Sequence, residues 1–188
     1  TCWRLNVSEW YTPLPEGGAS TVDNGLLALK LVLEGLGVEA SVDDFDKRLM
    51  MQKAVYLGQR LGVDLGYRFS WYRRGPYSSA LADDYFRLYS AGEQSADDRK
   101  LHPKVAERLE AAQRLLVPKD EMEPPDWAEL VASLDYLLKV DGYEFQNAKK
   151  VLQDTKPELA EAADDARKRL EEAGLVVRVG KQWLTAPT

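Results

Sequence analysis

Cysteine and histidine are almost absent. Cys2 is the only cysteine and His102 the only histidine in 188 residues. A single thiol cannot form an intramolecular disulfide, so the fold does not depend on oxidising conditions. No Cys/His spacing of a metal site occurs, and a Cys2–His102 nucleophile pair would have to use a terminal residue. His102 has no partner residue nearby in sequence and is expected to be structural or surface-lying. Apolar runs are short too. The longest apolar region, residues 25–37, contains Lys30 and Glu34, so it falls short of the roughly 18 uninterrupted apolar residues that span a bilayer. The first residues show no basic flank, apolar stretch and small-residue cleavage site in series. A cytoplasmic protein is the expectation. Neither G-x-x-x-x-G-K-[ST] nor G-x-G-x-x-G is present, and no cofactor is expected.

An excess of positive charge is also missing. Lys and Arg number 25 against 31 Asp and Glu, a net charge of -6. That excludes a wholly basic nucleic-acid coat and a polybasic membrane binder. The apolar share of 45% is high enough for a packed core and argues against disorder. The length fits one domain, or two small ones sharing an interface. The charge is uneven. Residues 47–74 hold seven basic residues against Asp64 alone, a local +6, which leaves -12 for the rest. Acid concentrates at 43–46, 83–84, 97–98, 120–126 and 158–165.

Turn signals and periodicity organise the chain. Residues 1–20 carry Trp3, Trp10, Tyr11, Pro13, Pro15 and Gly17-Gly18 and read as an extended aromatic arm. A helical domain is expected over 21–117. It starts with a Leu-rich helix at 22–36, then a helix capped by Ser41 that runs to about Leu61 before Gly62. Residues 63–72 alternate, with Leu65, Tyr67, Phe69 and Trp71 on one face, which predicts a half-buried strand. Ser78 or Ser79 caps a helix to about Ser90. A polar connector at 93–100 and a helix from Pro103 to near Val117 follow. The unit at 118–188, which can share the same core, begins after Pro124-Pro125. Asp126 and Glu129 suggest an N-cap pattern for a helix to Val140. A short helix over 143–153 and a helix from Thr155 to Ala173 come next. A β-hairpin folds around Gly180-Lys181. The expected class is mainly α with small antiparallel β elements and winged-helix-like character.

The most distinctive stretch is Met51-Gln52-Lys53-Ala54-Val55-Tyr56-Leu57, followed by Tyr67-Arg68-Phe69-Ser70-Trp71-Tyr72-Arg73-Arg74-Gly75-Pro76-Tyr77-Ser78-Ser79-Ala80-Leu81. It resembles the YwgA-like and Panacea-type group of small prokaryotic proteins. Their pattern joins a Leu-Gln-Lys-hydrophobic-Tyr helix to a Tyr-Gly-Pro-Tyr-Ser turn that opens the next helix. Met51 replaces the usual Leu here, and Arg74 the residue before Gly-Pro. The resemblance covers residues 45–90. It implies a helical protein with winged-helix character, acting as an antitoxin or adaptor in toxin–antitoxin or defence settings.

The same residues also have a direct physical reading. Gly75-Pro76 is expected to turn the chain after the aromatic strand. Tyr77 would then lie beside a helix start whose free N–H groups Ser78 and Ser79 satisfy. Arg73 and Arg74 beside that start form either an anion site or a plain structural corner. The helix from Ser79 sets Asp83, Asp84 and Arg87 outward, a poor surface for a phosphate-lined groove. Nucleic-acid or partner contact is therefore expected at Arg68, Arg73 and Arg74, with Tyr77, Ser78 and Ser79 beside them. Arg178 and Lys181 on the C-terminal hairpin are expected as wing contacts, or else that hairpin is a packing element. The leading expectation is a non-catalytic regulatory protein that binds nucleic acid. The alternative is a protein–protein adaptor, with a toxin as one partner, using the aromatic arm and acidic helices. A nuclease built on acidic pairs such as Asp83-Asp84 or Asp164-Asp165 is a third class.

Overall fold

The computed structural model describes residues 23–91, 99–119, 122–180 and 182–185. The aromatic arm, most of the polar connector and Lys181 lie outside these residues. The described chain is mainly helical with two small antiparallel sheets. Its helices are α1 (Asn24–Gly35), α2 (Phe45–Arg60), α3 (Ser79–Ala91), α4 (Pro103–Leu116), α5 (Pro124–Lys139), α6 (Phe145–Thr155), α7 (Pro157–Ala160) and α8 (Ala163–Glu172). Strands β1 (Ser70–Tyr72) and β2 (Gly75–Tyr77) form one hairpin, and β3 (Val176–Val179) and β4 (Gln182–Thr185) another.

Helix α5 organises the molecule. Every residue from Trp127 to Leu138 is buried, as expected of a central helix that is covered on all sides. It packs against α2, α4, α6, α7, α8 and β2. One hydrophobic cluster runs through both halves of the chain, from Leu29 of α1 to Val176 of β3. Among the described residues no helix is long and apolar enough to cross a membrane.

Helix ends follow local chemistry, with some shifts from expectation. Asp44 rather than Ser41 caps α2, its Oδ1 accepting from the Lys47 N–H at 2.8 Å. Ser41 instead takes the Asp43 N–H at 3.2 Å. His102 caps α4 through Nδ1, which accepts from the Lys104 N–H at 3.3 Å. Helix α5 starts at Pro124, and neither Asp126 nor Glu129 caps it. Those two carboxylates face Arg74 instead. The expected helix from Thr155 to Ala173 is two helices, α7 and α8. Thr155 ends α6, its hydroxyl donating to Val151 O at 2.7 Å. The break between α7 and α8 lets Leu159, Ala160, Ala163, Ala166 and Leu170 all reach the core.

The expected strand over 63–72 pairs only at Ser70–Tyr72. Its alternation still holds in burial. Leu65, Tyr67, Phe69 and Trp71 pack on the core, while Gly66, Arg68, Ser70 and Tyr72 are exposed. The turn also moves. Tyr72 pairs with Gly75 and Trp71 with Pro76. Arg73 and Arg74 are therefore the hairpin loop, and Gly75-Pro76 lies in a strand. Gly75 has φ +78, and a Cβ there would fall 2.1 Å from Ser133 Oγ on α5. Only glycine lets β2 lie this close to α5. The C-terminal hairpin matches its expected position, with Val179 opposite Gln182.

Candidate binding site

The motif helix α2 carries polar groups on a buried face. Gln52 clamps Ser78, donating to its carbonyl at 2.9 Å and accepting its N–H at 2.9 Å. Gln59 clamps Tyr67 in the same way, at 2.9 and 3.0 Å. Lys53 Nζ donates to Pro76 O at 2.7 Å. Tyr56 donates its hydroxyl to Asp135 at 2.7 Å, and Arg60 grips the same carboxylate at 2.6 and 3.2 Å. Burial and Asp135 together push the Tyr56 hydroxyl well above its ordinary pKa. Thus one helix sutures the whole segment from Tyr67 to Ser78 to the core. Phe69 and Trp71 complete the seam, packing on Tyr56 and Tyr136 at ring separations of 5.2 and 5.8 Å.

The hairpin loop sits over a second polar cluster. Arg74 Nε meets Glu129 Oε2 at 2.5 Å, and Arg74 Nη2 meets Asp126 at 3.1 Å. Its guanidinium also lies over the Phe45 ring at 5.7 Å. Lys156 donates to the other Glu129 oxygen at 2.6 Å and to Arg73 O at 2.7 Å. Glu129 is almost fully buried, so it serves as a shared counter-ion for Arg74 and Lys156. Burial is the main cause that lowers Lys53 to about 7; Glu129 opposes that shift, and Lys156 and Arg74 add to it.

These groups line a cleft of about 830 Å3 between α2, the β1–β2 hairpin, α3 and the α6–α7 junction. Its cations are Arg48, Lys53, Arg73, Arg74 and Lys156, against Glu129 and Glu158. Phe45, Tyr72, Tyr77, Tyr85 and Phe86 supply its rings.

The expected contact residues therefore separate. Arg68 and Arg73 are exposed. No acid pairs with either guanidinium among the described residues. Arg74 is half-buried and paired with two carboxylates. Tyr77 is half-buried in the cleft wall. Ser78 is buried, its backbone held by Gln52 and its hydroxyl accepting from the Leu81 N–H at 3.4 Å. Ser79 is exposed at the start of α3. Arg178 is exposed on β3, bonded to Gly180 O at 3.2 Å and lying 5.8 Å from the Trp183 ring centre.

Other charges are engaged. Arg167 is stacked 3.9 Å from the Trp183 ring centre. Lys168 pairs with Asp165, and Arg169 with Glu172. Asp84 accepts from Tyr67 at 2.9 Å and from Arg87 at 2.8 Å. Asp164 pairs with Lys149, and Asp165 with Lys119. Among the described residues, no three His, Cys, Asp or Glu side chains gather to hold a metal ion. Sequence reasoning did not identify Gln52, Gln59, Glu129, Asp135 or Lys156 as site-forming. For Gln52, Gln59, Glu129 and Asp135 the one signal is a polar residue within a largely apolar helix; Lys156, at the junction of α6 and α7, carries none.

Comparison with protein-family models, with curated proteins and with solved structures found no match.

Proposed function

We propose that the chain is a non-catalytic regulatory binding protein, antitoxin-like or defence-associated, which contacts nucleic acid in the cytoplasm. The contact surface is the outer face of the 68–73 ribbon, with the β3–β4 hairpin as a wing. The observation that carries this reading is the state of Arg68 and Arg73. Both are exposed without an acidic partner among the described residues, and the exposed Tyr72 stands between them. Uncommitted guanidinium groups beside an aromatic ring suit phosphate contact and base stacking. Arg178 would add a phosphate contact. The resemblance to Panacea-type proteins and the helix α8 followed by a hairpin are consistent with winged-helix character.

Binding of a labelled oligonucleotide, measured at about 50 and 200 mM salt, tests this proposal. Wild-type affinity should fall steeply with salt. Arg68→Ala with Arg73→Ala should weaken binding and reduce the log–log salt slope by about two. Binding unchanged in that double variant would remove the assigned surface.

A second reading, the protein–protein adaptor, is favoured by a separate observation. Phe45, Tyr72 and Phe86 are 53%, 59% and 48% exposed around the cleft mouth. Aromatic and arginine side chains in one concave place are typical anchors for a partner protein. A stoichiometric complex with a toxin or other protein that survives nuclease treatment would select this reading.

A further inference from the structure

The cleft has features that contact with a nucleic-acid backbone does not require. Its volume of about 830 Å3 lies within the roughly 300–1,000 Å3 of small-molecule sites. Lys53 and Lys156 line it and are only 1% and 3% exposed. With Arg74 they surround one buried carboxylate, Glu129. Five cations line the cleft against Glu129 and Glu158, and Asp126 reaches only Arg74, so the lining keeps a positive excess that favours an anion. Burial is the first cause of the lowered Lys53 pKa, and the neighbouring cations Lys156 and Arg74 add to it. Lys53 also has unused donors, since an ammonium offers three N–H groups and among the described residues only Pro76 O accepts from it. Arg73 adds a guanidinium without an acidic partner among the described residues. Rings stand beside these donors. Tyr72 and Tyr77 lie 5.6 Å apart, and Phe45 and Phe86 are exposed in the same lining. A concavity that combines cationic donors with accessible rings suits a ligand with a flat ring and an anionic group.

We propose that this cleft binds a nucleoside 5′-monophosphate, with the phosphate against Lys53, Lys156 and Arg73 and the base among Phe45, Tyr72 and Phe86. Such a ligand would supply the missing negative charge and cover the exposed rings. This goes beyond the nucleic-acid surface, because Arg68 belongs to that surface and not to the cleft lining.

Calorimetric titration of the full chain with the four ribonucleoside 5′-monophosphates, with adenosine and with inorganic phosphate provides the test. At least one nucleotide should bind about tenfold or more tightly than either fragment, because charge and ring contacts act together. Arg73→Ala and Phe45→Ala, both changes at exposed residues, should each weaken it severalfold while the circular dichroism spectrum stays unchanged. Arg68→Ala should leave nucleotide affinity intact while weakening oligonucleotide binding. The absence of nucleotide binding at millimolar concentration would overturn the proposal. So would inorganic phosphate binding as tightly as the nucleotide, or loss of nucleotide binding in Arg68→Ala. None of these results would by itself disturb the Arg68 and Arg73 surface for nucleic acid, which the salt-dependence measurement tests separately.

Discussion

Lys53 shows how burial changes what a basic residue in the sequence means. It belongs to the local excess of basic charge, yet its ammonium is buried and fixed to Pro76 O at 2.7 Å. Its folded pKa of about 7 lies below the ordinary 10.5. Between these two values the unfolded chain holds a proton that the folded chain does not. Stability should therefore rise with pH across that window, and the full cost of the buried charge should apply below it. Lys53→Met removes the titrating group. Urea midpoints measured between about pH 6.5 and 9.5 should climb for the wild type and lose that component in the variant. Equal slopes would show that Lys53 is solvated. Above that range Tyr56 and Tyr67 act in the opposite direction, because burial, with Asp135 and Asp84 respectively, raises their pKa values. Lys53 is buried, and Arg60 forks onto Asp135. Asp135 comes from a helix 75 residues away, so no local pattern could reveal the pairing.

At the scale of elements, the β1–β2 hairpin is held from both sides, by the α2 clamps and by the close approach of Gly75 to α5. Gly75→Ala should destabilise the protein by about 2–4 kcal/mol, because a Cβ adds both a clash and strain at positive φ. Ser133→Ala in the same chain removes the oxygen that the new Cβ would meet at 2.1 Å. It should restore part of the loss and leave the backbone strain. A double variant no more stable than Gly75→Ala would mean that the contact with Ser133 does not set the cost. Much at this scale was legible in sequence. Apolar spacing and the glycines after α1 and α2 placed those helices, and alternation gave the inward face of residues 63–72. The C-terminal hairpin was readable from its turn. Failures came where a polar side chain had two possible jobs. Asp126 and Glu129 suit an N-cap, but a cation from another element claims them. Thr155 suits a helix start, yet its hydroxyl bonds back to Val151. The turn was misplaced because Gly-Pro is a common turn signal, whereas here the close contact with Ser133 requires the glycine.

For the whole molecule, the charge map changes meaning once partners are known. Of the seven basic residues between Lys47 and Arg74, five are bonded within the protein. Lys47 pairs with Glu39, and Arg48 donates to Val42 O. Lys53, Arg60 and Arg74 hold the interior together. Only Arg68 and Arg73 remain as exposed guanidinium groups without an acidic partner among the described residues. The distinctive motif thus has an inner half that builds the scaffold and an outer half available to a partner. Adjacent residues Arg73 and Arg74 fall on opposite sides of that division. Thermal unfolding of Arg73→Ala and Arg74→Ala, measured side by side, tests it without knowledge of any ligand. Arg74→Ala leaves buried Glu129 with Lys156 as its one ion-pair partner among the described residues and should cost about 1–3 kcal/mol, lowering Tm by roughly 2–12 °C for a chain of this size. Arg73→Ala should keep Tm within about 1 °C, as expected of an exposed surface change. A large drop for Arg73→Ala, or none for Arg74→Ala, would contradict the division into scaffold and contact residues.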